Sequence, residues 1–211
     1  MTSRNICLSL VLAAFPLFLG AVDSAPESSL KRLIEGNKRY VEGKLLHPNR
    51  SQESRELSAI AQRPFAVIVG CSDSRVGPEM LFDQGIGDLF TVRVAGNVVG
   101  PLELDSVEYS VIYHQAALVL VLGHENCGAV DAVLHGTTKD IENIAVLLEP
   151  AVEASKSQKG DPIENAVKTN VIMVVDQLKK SPVLEKAESQ GSIMIVGGYY
   201  NLRSGEVEIL K

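Results

Sequence analysis

Four short apolar runs are spaced along the chain, with longer segments of helical character between them. Runs of about 4–8 residues rich in Val, Ile and Leu are typical of β-strands. The run 117–123 is almost continuously apolar, as expected for a strand covered on both faces of a parallel sheet. We therefore predict an α/β fold with a mostly parallel central β-sheet flanked by helices. The predicted strands are 65–70, 89–94, 117–123 and 192–197.

The segments between these runs carry signals for helix starts. Asp161 is a suitable N-cap, Pro162 suits the first turn and Glu164 completes the capping pattern, which predicts a helix to about residue 180. In the same way, Pro78 predicts a short helix and Pro101 predicts a helix to about residue 114.

Near the amino end, mostly apolar side chains recur at helical spacing on one side of a predicted helix, with lysine and arginine elsewhere. The positions are Leu30, Leu33, Ile34, Asn37, Tyr40 and Val41. A helix with such a stripe must lie against another surface, which is either its own domain or a partner chain.

The first twenty-five residues have the pattern of a targeting segment. Arg4 precedes an apolar run over 6–20, and the small residues Ser24 and Ala25 follow it. This pattern predicts a signal peptide over 1–25, cleaved near 24/25, and a single domain over 26–211. The run is shorter than the roughly 20 residues of a membrane helix, and an uncleaved anchor is the alternative. We therefore expect export, with the periplasm as the expected compartment.

The net charge of −6 argues against polyanionic partners. Neither a basic patch nor a basic helix is visible in the sequence, and these features are the usual signs of nucleic-acid or anionic-membrane binding. We expect no nucleic-acid partner and, after signal cleavage, no membrane association.

Two cysteines and one histidine form the strongest chemical pattern. Cys71 is followed by Asp73 and Arg75, and His124 is followed by Cys127. Thiolate and imidazole are preferred zinc ligands, and a catalytic zinc typically keeps three protein ligands and one open position. Both segments follow the carboxyl end of a predicted strand, where open α/β sheets bind their ligands. We therefore predict one Zn²⁺ per chain, bound by Cys71, His124 and Cys127.

A disulfide between Cys71 and Cys127 is the alternative, because loss of Cys7 with the signal leaves an even pair in an oxidising compartment. A disulfide gives no reason for His124 to stand three residues before Cys127, or for Asp73 to stand two residues after Cys71. These neighbours favour the metal.

Together these motifs resemble those of the β-class carbonic anhydrases, over most of the predicted domain. The matching pieces are Gly36-Asn37-Lys38-Arg39-Tyr40, the stretch from Cys71 to Val99 that begins CSDSR, and GHENCGAV from Gly123 to Val130. The resemblance implies zinc-dependent, reversible hydration of carbon dioxide to bicarbonate and a proton, by attack of zinc-bound hydroxide. It also implies a catalytic dyad of Asp73 and Arg75, with Asp73 as a fourth zinc ligand only in a closed state.

The resemblance further implies a substrate pocket and an assembly. The pocket positions carried over are Gln62, Phe90, Tyr109, Gly96 and Gly128, with Gln62 reaching in from the partner subunit. A homodimer or a dimer of dimers is expected, with an N-terminal helical arm packing on a partner subunit.

The subgroup is indicated by a missing aromatic residue. The chain has no tryptophan, and Ile68 stands where some family members have the tryptophan of a regulatory bicarbonate pocket. The resemblance is therefore closer to the plant-like subgroup, in which the zinc site is open.

Two alternatives would use the same residues. One is a non-catalytic zinc or bicarbonate-binding module, which permanent coordination by Asp73 would favour because structural zinc sites usually have four protein ligands. The other is a carbonyl sulfide or carbon disulfide hydrolase of the same fold. For the carbonic anhydrase, two thiolates cancel the charge of Zn²⁺, which predicts activity that rises toward alkaline pH.

Overall fold

The computed structural model describes residues 25–210, so the predicted signal peptide lies, apart from Ala25, outside the described residues. The strands are Ala66–Gly70 (β1), Leu89–Arg93 (β2), Leu118–His124 (β3), Met194–Tyr200 (β4) and Val207–Leu210 (β5). They form one sheet in the order β2-β1-β3-β4-β5, parallel throughout except for the antiparallel pair of β4 and β5. The predicted α/β class with a mostly parallel central sheet is confirmed.

The two central strands are buried along their whole length, as the continuous apolar run 117–123 predicts. One face of β1 and β3 packs valines into one core cluster, and the other face packs Ile68 and leucines into a second cluster. Strand β4 continues three residues beyond the predicted end, because 198–200 pair with 122–124 of β3. The sheet is therefore covered on both faces.

Eight α-helices lie within the described residues, together with a short 3₁₀ turn at Ala95–Asn97. They are Ala25–Val41 (α1), Gln52–Ser58 (α2), Pro78–Leu81 (α3), Pro101–His114 (α4), Gly128–Leu134 (α5), Glu142–Ser155 (α6), Pro162–Lys179 (α7) and Pro182–Ser189 (α8). The helices predicted at Pro78, Pro101 and Asp161 are confirmed, and Asp161 caps α7 by accepting a hydrogen bond from the Glu164 N–H. No helix of residues 25–210 is long and apolar enough to cross a bilayer.

Helix α1 packs its buried stripe on its own domain, and packing of this arm on a partner subunit stays a prediction. Leu33 is buried in the core beside the leucines of β3. The Asn37 amide donates to the carbonyls of Leu81 and Gly205, at 3.1 and 2.8 Å, and its oxygen accepts from the Val207 N–H. The buried stripe is therefore used within the chain, because it meets core residues and main-chain groups that need partners.

Two buried carboxylates fasten this arm to the loop after α3. Arg39 pairs with Asp83 at 2.7 Å, and Arg32 pairs with Asp88 at 2.6 Å. Asp83 also accepts hydrogen bonds from two main-chain N–H groups, those of Leu46 and His47. Burial alone would raise the pKa of Asp83, but Arg39 and these N–H groups lower it below its ordinary value.

Candidate metal centre and active site

The three predicted zinc ligands meet where two neighbouring strands end. Cys71 follows β1, His124 is the last residue of β3, and Cys127 precedes α5. Because β1 and β3 are adjacent and parallel, their carboxyl ends lie together at one edge of the sheet. One ligand atom from each residue lies within 4.8 Å of the others, and all three side chains are buried. The structure therefore brings the predicted ligand set together.

The two cysteines are free thiols, so the alternative disulfide is not present. Their sulfurs are 4.0 Å apart, about twice the length of an S–S bond. A separation of this size leaves space for a metal ion between the two sulfurs.

His124 is oriented for coordination through its Nε2 atom. Its Nδ1 lies 2.9 Å from the carbonyl oxygen of Glu125, which can only accept, so the proton must be on Nδ1. Its Nε2 is buried and has no hydrogen-bond partner among residues 25–210. A buried nitrogen with a lone pair and no partner is unfavourable unless it binds something, and a metal ion between the two cysteines satisfies it. The residues present fit zinc.

The sulfur of Cys71 is held in an environment that favours the thiolate. The Cys127 thiol donates to Cys71, and the N–H of Gly96 also donates to it at 3.2 Å, so the pKa of Cys71 is lowered. Sharing this proton with Cys71, together with burial, raises the pKa of Cys127. Deprotonating Cys127 beside the Cys71 thiolate is therefore unfavourable. A divalent cation would offset this by binding both residues as thiolates.

Asp73 lies beside the ligand set but is held by Arg75. The guanidinium donates from Nε and Nη2 to the two carboxylate oxygens, at 2.9 and 2.7 Å, and the Arg75 N–H adds a third bond of 2.9 Å. Arg75 therefore lowers the pKa of Asp73 well below its ordinary value, against a smaller effect of burial. One carboxylate oxygen is 3.9 Å from His124 Nε2, so the carboxylate borders the metal position.

The two glycines predicted at the pocket differ in their surroundings. Gly96 has a left-handed φ of 73°, and a Cβ there would stand 3.0 Å from Leu148. Its N–H donates to the Cys71 sulfur, so the main chain at Gly96 lies close to the ligand set, which a glycine allows. Gly128 is the first residue of α5 after Cys127, and a Cβ there would meet no atom of the described part of the chain within 4 Å. Gly128 therefore leaves open space beside a zinc ligand.

The other predicted pocket residues lie away from the zinc ligands of their own chain. Phe90 pairs with Val67, four residues before Cys71, which is about 13 Å along the strand. The Phe90 and Tyr109 rings are neighbours at 6.3 Å. Gln62 precedes β1 and lines a cavity of about 790 Å³ near the amino end of the sheet. Within one chain the structure brings none of these three to the centre.

Sequence reasoning missed Arg93, at the end of β2. Its guanidinium donates from Nε to the carbonyl of Cys71 at 3.0 Å and from Nη2 to the carbonyl of Asp73 at 2.7 Å. It also missed Asn170, which donates to the carbonyl of Gly96 at 2.9 Å. Both residues donate to main-chain carbonyl oxygens. Every residue has such an oxygen, so these contacts give no recognisable spacing in the sequence.

Comparisons with known proteins identify a family. The family profile for carbonic anhydrase matches residues 66–207. A carbonic anhydrase of Mycolicibacterium smegmatis is 37% identical over 194 residues, covering 89% of this chain and 94% of the relative.

Solved structures show the same fold. The β-carbonic anhydrase CcaA superposes with a TM-score of 0.70 at 25% identity, over 86% of this chain and 95% of the other. A tetrameric β-carbonic anhydrase of Sordaria macrospora has a TM-score of 0.67 at 20% identity, over 87% of this chain and 98% of the other, and supports the fold alone. Because both the profile and the sequence identity extend over most of the chain, the chain belongs to the β-class carbonic anhydrases, a family of zinc enzymes.

Proposed function

We propose that the protein catalyses the reversible hydration of carbon dioxide at an open zinc site. One observation carries the proposal: three ligands converge while the nearby Asp73 carboxylate is bound by Arg75 instead. A structural zinc site is usually closed by four protein ligands, whereas a catalytic site keeps one position for water or substrate. This arrangement favours the enzyme over the non-catalytic zinc-binding module, and it is the arrangement expected of the plant-like subgroup.

The side chains around the centre have separable roles. Zinc held by these ligands would supply a Lewis acid that activates water for attack on carbon dioxide. Asp73 is ionised at neutral pH, and its lowered pKa keeps it ionised in acid as well, so it can accept a hydrogen bond from water and orient it. Arg75 fixes the direction of that carboxylate through two parallel bonds. The Glu125 carbonyl fixes the ring of His124.

The test is stopped-flow hydration of carbon dioxide, with zinc quantified in the same sample. We expect turnover in proportion to zinc content, and loss of both in Cys127→Ala. Asp73→Ala should keep its zinc and lose most of its turnover, because the open position remains but the orienting carboxylate is gone. Full turnover of Asp73→Ala, or zinc-loaded protein without hydration, would contradict the proposal. Parallel assays of sulfide release from carbonyl sulfide and carbon disulfide separate the hydrolase alternative.

We also propose that the protein is a homodimer in which the edge strand β2 pairs with β2 of a second copy. The outer edge of β2 has no neighbouring strand within the described residues. Beside it, α4 exposes large apolar side chains, among them Leu102, Tyr109 and Tyr113, and α2 buries none of its residues. An unpaired edge next to exposed apolar side chains is suited to association.

This dimer would explain the position of the substrate-pocket residues. A two-fold axis makes the paired β2 strands antiparallel, so the amino half of one strand lies beside the carboxyl end of the other. Phe90 and Tyr109, and Gln62 near the same end of the sheet, would then approach the zinc of the partner subunit. A dimer of dimers is a further step of the same proposal.

We propose export to the periplasm from the signal pattern of residues 1–25. Mass spectrometry of the protein purified from its native host should find a mature chain beginning near residue 25. A full-length chain in the cytoplasm would exclude export.

A further inference from the structure

Arg93 lies at the end of β2, beside the loop that carries Cys71 and Asp73. We propose that Arg93 is a positioning residue that keeps Asp73 away from the metal by fixing the main chain of this loop. The inference rests on the proposed function, because it concerns the same open zinc site, and it adds a residue that controls whether the site is open.

The contacts of Arg93 join two points of the loop. Its Nε donates to the carbonyl of Cys71 at 3.0 Å, and its Nη2 donates to the carbonyl of Asp73 at 2.7 Å. One planar guanidinium thus fixes two main-chain carbonyls of the loop. One belongs to Cys71, the proposed zinc ligand, and the other to Asp73, whose carboxylate would close the site. A lysine carries the same charge but lacks this geometry.

The Asp73 carbonyl is also the point where the loop turns. It accepts a second bond, from the Val76 N–H at 3.1 Å, which closes the turn containing Arg75. This turn brings Arg75 back onto the Asp73 carboxylate, with the Arg75 N–H donating to the same side chain. Arg93 therefore holds the main-chain atom on which the Asp73–Arg75 pairing depends.

A small movement of Asp73 would close the site. Its carboxylate is 3.9 Å from His124 Nε2, so it already borders the ligand set. Both hydrogen bonds of Arg93 go to carbonyl oxygens, so Arg93 acts on the carboxylate only through the main chain. Without them, the loop is free to place Asp73 on the metal, and the open state loses population.

The experiment measures anion access to the metal independently of hydration. Cobalt-substituted protein is titrated with azide, and binding is followed by visible absorption of the metal. We expect Arg93→Gln to bind azide about tenfold more weakly, because the apparent affinity falls with the fraction of open sites. Arg93→Lys should weaken it as well, because the charge remains but the two-point contact does not. Asp73→Ala/Arg93→Gln should bind azide as Asp73→Ala does, since no carboxylate remains to close the site.

Arg50→Gln is the matched control. Arg50 also donates to a main-chain carbonyl, that of Gln84 at 3.2 Å, but in the loop after α3, and its variant should bind azide normally. Thermal melting followed by circular dichroism checks that each variant folds.

Three results would overturn the proposal. The first is wild-type azide affinity in folded Arg93→Gln. The second is weakening that persists when Asp73 is absent. The third is loss of cobalt from folded Arg93→Gln, since Arg93 would then support Cys71 as a ligand and not the gate. Failure of the wild-type enzyme to hydrate carbon dioxide would refute the proposed function. The azide titration would still show whether Asp73 closes the metal site.

Discussion

A dimer with complementary defects in its two chains should keep one complete active site. One chain carries Cys127→Ala, which removes a zinc ligand but leaves its pocket residues intact. The other carries Gln62→Ala and Tyr109→Ala, which leave its zinc site intact. If pocket residues act across the interface, the intact pocket of the first chain serves the zinc of the second. Neither variant homodimer should be active.

The position of the pocket residues and the number of complete sites together set the turnover expected of the mixed dimer. Phe90 lies four residues before the level of Cys71 in the same sheet, or about 13 Å along the strand, too far to touch a substrate at its own zinc. If the two β2 strands pair antiparallel across a two-fold axis, Phe90 would instead lie toward the carboxyl end of the partner's β2. One of the two sites of the mixed dimer is then complete, so turnover per dimer should be about half that of the wild type.

The assay uses two differently tagged chains, purified in tandem to give only the mixed dimer, with stopped-flow hydration and zinc content measured together. Sedimentation checks that each variant remains dimeric. A mixed dimer as inactive as the two homodimers would refute the reasoning, because the pocket residues would then act within their own chain.

Three further outcomes are expected. Asp83 has a lowered pKa, so its carboxylate stabilises the fold above its unfolded pKa of about 4, and this stabilisation is lost as the pH falls toward the folded value. In urea unfolding at pH about 7 and about 3, Asp83→Asn should lose less free energy of unfolding in acid than the wild type does. An equal loss would contradict this. Gly96→Ala should lower the free energy of unfolding by about 1–2 kcal/mol because φ is 73°, and an unchanged urea midpoint would contradict it. Hydration by the wild type should rise toward alkaline pH, because two thiolates weaken the metal as a Lewis acid; a flat stopped-flow profile would contradict that.

The convergence of Cys71, His124 and Cys127 was predictable because their spacing and their strand ends are both local features. Cys71 and His124 come directly at the ends of apolar runs, and parallel neighbouring strands must bring such ends together. The helix beginning at Pro162 was equally predictable from its N-cap. The same signal, Ser181 before Pro182, marks α8 and could have found that helix.

Other features depend on contacts that a linear pattern does not contain. The stripe around Leu33 predicts a buried face but not which surface covers it, and the surface is the domain's own core. Arg93 donates to main-chain carbonyls, which every residue possesses, so its role has no spacing signal. Helix α6 contains Pro150, a residue that usually argues against a helix interior, and packing of its buried face overrides this local preference.

X-ray absorption at the zinc edge of the purified wild-type protein tests the central claim most directly. Cys71, His124 and Cys127 predict two sulfur ligands and one imidazole nitrogen, with one further oxygen from solvent. In Asp73→Ala the oxygen should remain at the same distance, because it does not belong to that side chain. A zinc site that loses its oxygen in Asp73→Ala, or a folded wild type that binds no zinc, would contradict the account.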